Sequence, residues 1–168
     1  MTSIAGIIIL SVSIIAADAY VVSMLNKRVN LLNCCIVMIK SFSVDLAYCN
    51  ETVLTITEKA SKLSELKELS FLKQVSECTE GDFAVNWSEA VDMFLLKSTL
   101  SKKDADLLKS FGNKLGTTDC FHQTQLCDEY IKRFEEIYKH EKSKLAERIQ
   151  ICKIAGGAAV LTAFVLLI

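Results

Sequence analysis

Proline is absent from all 168 residues, and only six glycines occur. Strands and tight loops are usually punctuated by these two residues, whereas long helices are not. The shortage therefore argues against a sheet and for an all-α chain. Histidine is also scarce, with His122 and His140 alone. There is no H-E-x-x-H, no G-x-S-x-G, no C-x-x-C and no Gly-rich phosphate loop, so no nucleophile–base pair is visible. Cys120, His122, Cys127 and His140 come nearest to a metal set, and their spacing matches no zinc knuckle. No catalytic, cofactor-binding or metal-ligating residue is expected. A strong charge of either sign is missing as well: the formal net charge is −1. That excludes a global basic footprint for nucleic acid.

Hydrophobic residues are plentiful, at 51%, and the excess sits at the two ends. Ile4 to Leu25 is apolar apart from Asp18 and a few hydroxyls, about enough to cross a hydrocarbon core as a helix. Lys27 and Arg28 follow at once, which marks their side as cytoplasmic. A rival reading is a cleaved signal peptide, because Ala17-Asp18-Ala19 resembles an A-x-A site. The basic region that opens such peptides is missing here. Ile154 to Ile168 is a second uncharged run, short for a full span unless Lys153 snorkels and the run begins near Ile149. Lys142, Lys144, Arg148 and Lys153 precede it, so the same rule puts that side in the cytoplasm too.

The expected organisation is a transmembrane helix over 1–26, a cytoplasmic helical bundle over 27–150 and a transmembrane helix over 151–168. Asp18 is the one intramembrane polar suspect. Its structural alternative is a place near an interface or against a partner helix, where Ala155, Gly156, Gly157, Ala158 and Ala159 allow close approach.

The seven cysteines, Cys34, Cys35, Cys49, Cys78, Cys120, Cys127 and Cys152, are odd in number. A disulfide framework favours an even set, so they read as reduced thiols serving as small core hydrophobes.

Within the middle, Val22, Leu25, Val29, Leu32, Ile36, Ile39, Ser43 and Leu46 recur at alternating steps of three and four. That stripe has heptad, coiled-coil spacing, and it predicts one long helix ending near Cys49. Asn50 is expected to cap a helix over 51–63. A third follows over 65–77, with Leu66, Leu69, Phe71, Leu72 and Val75 as its apolar face, broken by Gly81. Asn86-Trp-Ser-Glu89 approximates a capping box opening the next helix, and Ser101-Lys-Lys-Asp104 opens another. Phe111-Gly-Asn-Lys-Leu-Gly-Thr-Thr-Asp119 reads as stop, turn and start. Gly116 suits the positive-φ residue past a helix end, and Thr118 and Asp119 can cap the next helix. A long amphipathic helix then carries Leu126, Tyr130, Phe134, Ile137, Leu145 and Ile149 on one face and returns antiparallel to the first. Trp87, the only tryptophan, reads as a core anchor or as a partner-facing hot spot.

Several of these residues together resemble the stage III sporulation protein AB family of endospore-forming bacteria. Trp87-Ser-Glu-Ala90 resembles its tryptophan motif, and Leu100 through Asp104 its short linker with a following acidic residue. Phe111, Gly112, Leu115, Gly116, Thr118 and Asp119, with Gln123, resemble its signature. The chain departs from the family at Asn50-Glu-Thr-Val53, where members commonly carry a proline-containing turn. The resemblance implies a non-enzymatic helical domain similar to the F-type platform proteins of type II secretion and type IV pilus systems. It implies a place in the mother-cell membrane around the forespore, within a secretion-like channel. The partners it implies are the cytoplasmic secretion-type ATPase and other stage III membrane proteins, with homo-oligomerisation open and no nucleic acid. The alternative is a secreted or surface-exposed helical binding protein with a cleaved signal and a C-terminal anchor.

Overall fold

A computed structural model describes residues 2–48, 51–78 and 80–167, and every regular element among them is helical. Helix α1 spans Thr2–Ala47, α2 Val53–Lys62, α3 Phe71–Glu77, α4 Phe83–Leu95, α5 Lys102–Lys114 and α6 Cys120–Leu167, with a single 3-10 turn at Ser64–Leu66. The chain divides into two units, one of Met1–Lys27 with Lys139–Ile168, the other of Arg28–Tyr138.

The Arg28–Tyr138 unit holds the core. The heptad stripe of α1 is buried where it crosses this unit, at Val29, Leu32, Ile36, Ile39 and Leu46. A second row, Leu31, Cys35, Met38 and Phe42, is buried beside it. Two adjacent rows make a face too wide for a two-stranded coil; here α1 is a central helix of a bundle. Leu66, Leu69, Phe71, Leu72 and Val75 are all buried, as is Tyr130 with Phe134 on α6. Lys40 on α1 pairs with Glu135 on α6 at 3.2 Å. Both groups are substantially exposed, so the pair contributes little stability.

Three expected helix starts are displaced. The second helix is capped by Thr52, whose Oγ1 accepts from the Thr55 N–H at 3.3 Å; Asn50 lies outside the described residues. The third segment is broken between Leu66 and Phe71, so that a 3-10 turn precedes a shorter α3. Helix α4 begins before Asn86, capped by Asp82, whose Oδ1 accepts from the Ala84 N–H at 3.0 Å. Asn86 lies inside α4 and donates from Nδ2 to the Glu80 carbonyl at 2.9 Å, where it holds the loop at Gly81 (φ +92°).

In the other unit the two helical segments run antiparallel. Val21 and Leu25 stand with Glu147, Arg148 and Ile151, while Ile15 and Ala19, nearer the start of α1, stand with Ile149, Cys152 and Lys153. Asp18 is half-buried in this unit.

Candidate functional site

The residues singled out by motif are brought together by α4, α5 and the start of α6. Each holds one element against another. Trp87 on α4 is fully buried and sits among Phe42, Phe71, Phe83 and Phe111, with ring centroids 5.2–6.2 Å away. Such aromatic contacts add to the area the ring buries. Its indole Nε1 donates to the Leu108 carbonyl of α5 at 2.8 Å, which satisfies the only polar atom the ring carries. Gly112, one turn after Leu108, is the reason the ring fits. A Cβ there would lie closer than 3.0 Å to three atoms of the indole. The core reading of Trp87 is therefore correct, and a hot spot on the surface is not what it forms.

Asp104 is buried at 1% exposure and has two duties. With Ser101 it completes a capping box: the Asp104 N–H donates to Ser101 Oγ at 3.2 Å, and the Ser101 N–H donates to Asp104 Oδ2 at 2.8 Å. The same Oδ2 accepts from Arg28 Nη2 at 3.0 Å, which ties the start of α5 to α1. Arg28 was missed in the sequence as a partner, because 76 residues separate the two.

The turn after α5 is clamped from the far side. Gly116 has φ +74°, and Leu115 behind it is buried. Gln123, 2% exposed, accepts at Oε1 from the Gly116 N–H (3.1 Å). Its Nε2 donates to the Lys114 carbonyl (3.2 Å) and to Thr118 Oγ1 (2.9 Å). One amide therefore satisfies three groups of the turn. Asp119 caps α6 as expected: Oδ1 accepts from the His122 N–H at 3.0 Å and Oδ2 meets His122 Nδ1 at 2.7 Å. The bond from the His122 backbone, followed by the one from its ring, holds the Asp119 carboxyl below the usual carboxylate range. An open groove of about 350 Å³ beside the turn is lined by Leu46, Val53, Gly116, Thr118 and Gln123 among others.

The cysteines divide. Cys34, Cys35, Cys78, Cys127 and Cys152 are free thiols. Burial, reinforced by Asp128, pushes the Cys127 thiol up to about 12, and burial raises the Cys35 thiol as well. Both act as the small core hydrophobes expected. Cys120 does not, because it is disulfide-bonded. An odd total says nothing about whether a subset pairs, so parity alone misled. Cys49 lies outside the described residues.

The sequence profile of the stage III sporulation protein AB family matches residues 3–168. No curated protein sequence matches the chain. Among solved structures, a stage III sporulation protein AB is similar at 16% identity and a TM-score of 0.60, over 71% of this chain and 97% of that one. At that identity the likeness speaks for the fold alone.

Proposed function

The chain belongs to the stage III sporulation protein AB family, and from that premise we propose that it is a non-enzymatic, membrane-held helical platform of the stage III sporulation channel. One observation carries the reading. Trp87, Asp104, Phe111, Gly112, Leu115, Gly116, Thr118, Asp119 and Gln123 are all spent on the rigidity of the bundle and its turns. A domain whose motif residues build stiffness presents a fixed outer surface, which is what docking requires. The occupant of that surface is the cytoplasmic secretion-type ATPase of the same apparatus, with other stage III membrane proteins beside it.

Membrane attachment is supported by the unit of Met1–Lys27 with Lys139–Ile168. Val12, Ile15, Tyr20, Val21, Met24, Ile149, Ile151 and Ile154 are exposed there, a concentration of bare apolar surface that a water-facing helix pair rarely carries. The segment Ile15–Ala47 is also long and apolar enough to cross a bilayer, although half of its most apolar window is buried within the protein. With the first and last segments in the mother-cell membrane, the bundle faces the cytoplasm. Co-purification of the ATPase with the full chain from detergent-solubilised sporulating cells tests the platform role. Recovery of the chain without the ATPase, with unaltered spore formation in a deletion strain, overturns it.

The disulfide at Cys120 favours a second reading, since disulfides persist in oxidising compartments and are rare in the cytosol. Under it the bundle lies outside the cell, released from a signal peptide and anchored by its C-terminus. Intact-mass measurement separates the two: loss of about the first 19 residues supports the second, and an unshortened chain supports the first.

A further inference from the structure

We propose that the helix pair formed by residues 2–27 and 139–167 holds an anionic phospholipid, its phosphate between Lys144 and Arg148 and its apolar part against Val21, Leu25 and Ile151. The proposal rests on the membrane-held reading and deepens it by naming a ligand.

Two grooves flank the seam between the two helical segments, and they differ in chemistry. One, of about 280 Å³, is lined by Ile15, Ala19, Val22, Ile149, Cys152 and Lys153, almost wholly apolar. The other, of about 360 Å³, joins an apolar floor of Val21, Leu25 and Ile151 to a rim of Lys144, Arg148 and Glu147. That volume is at the low end of the ~300–1,000 Å³ usual for small-molecule sites. Apolar floor beside cationic rim is the combination that a phospholipid presents in reverse.

Charge supports the choice of an anionic headgroup. Between positions 139 and 153 stand Lys139, Lys142, Lys144, Arg148 and Lys153 against Glu141 and Glu147, in a chain whose net charge is −1. Basic pockets between membrane helices on the cytoplasmic side recognise anionic headgroups. Lys144 is already held: its Nζ donates to Oε1 of the buried Glu141 at 3.0 Å. An ammonium has three donors, so this bond positions the charge without exhausting it. Arg148 offers a planar fork suited to two phosphate oxygens. Glu147 on the same rim opposes the phosphate, and it favours a diester with one negative charge over a more highly charged headgroup.

The test reconstitutes the full chain into vesicles of phosphatidylcholine alone and of phosphatidylcholine with a minor share of phosphatidylglycerol. The phosphatidylglycerol retained per protein after mild extraction is then measured against the bulk ratio. Enrichment is expected, falling with added salt. Lys144→Gln with Arg148→Gln should reduce it by roughly 5-fold per cation removed. Lys62→Gln with Lys73→Gln, an equal loss of charge elsewhere, should leave it unchanged. A bulk ratio in the unaltered protein, or an equal fall in both double variants, overturns the site while leaving the membrane reading standing. A chain that enters neither vesicle overturns both.

Discussion

Gly112→Ala is the substitution whose outcome most sharply separates this packing from a generic helical bundle. In an exposed helix interior, glycine to alanine stabilises by about 1 kcal/mol, because alanine is the better helix former. At position 112 the sign should reverse. The new Cβ would sit within 3.0 Å of the Trp87 Cδ1, Cγ and Nε1 atoms. The ring is walled by Phe42, Phe71, Phe83 and Phe111, so no free direction is open to it. Forcing a methyl into such a core costs about 1–3 kcal/mol. If the indole shifts, its bond to the Leu108 carbonyl is strained, and an unmet buried donor adds about 1–3 kcal/mol. Less the gain in helix propensity, a net destabilisation of about 1–5 kcal/mol follows. For a chain of this size each kcal/mol lowers Tm by about 2–4 °C. Thermal unfolding of the full chain in detergent, followed by circular dichroism and by the fluorescence of its single tryptophan, reads the change. Trp87→Phe alone should also destabilise, but in the double variant the added methyl finds space, and the sum should fall short of additivity by about 1–2 kcal/mol. A Gly112→Ala variant as stable as the parent, or more stable, would refute the account of why this glycine is here.

Gln123→Glu keeps the size of the side chain but removes the amide donor to the Lys114 carbonyl and Thr118 Oγ1; a loss of about 1–3 kcal/mol is expected in urea unfolding. Asp119→Asn tests pH dependence. The folded-state pKa of Asp119 lies below its ordinary value of 3.8, so its contribution is present above that value and lost as pH falls through the lower folded one. The variant should therefore lose Asp119's share of the acid-side slope that the parent shows below about pH 4. Native alkylation at mild alkaline pH should modify exposed Cys78 promptly and leave Cys35 and Cys127 untouched, since burial disfavours both thiolates. Peptide mass mapping that finds Cys127 modified as fast as Cys78 would contradict the burial of α6 in the core.

The order and type of the helices were readable because i, i+3, i+4 periodicity is strong in a chain without proline. The stop-turn-start at Phe111 to Asp119 was readable for a local reason: a positive-φ glycine and an Asp cap are short-range chemistry. Helix starts failed where a pattern was met without its geometry. Asn86-Trp-Ser-Glu89 has the capping-box spacing with Asn in place of Ser/Thr, yet Asp82, just after the bend at Gly81, takes the cap first. The doubled stripe of α1 was missed because Leu31, Cys35, Met38 and Phe42 matter only once other helices surround them. The purpose of Gly112 and of Gln123 was likewise hidden. One depends on a ring 25 residues earlier, the other on three groups that meet only when the turn closes.

The central claim is that the bundle, tied by its motif residues into one rigid body, faces the cytoplasm where an ATPase can dock. Cys78 is exposed on that bundle. A membrane-impermeant maleimide added to intact cells, with the Cys78 peptide followed by mass spectrometry, reads its side directly. The account predicts no label at Cys78 until the membrane is permeabilised; full labelling in intact cells would contradict it.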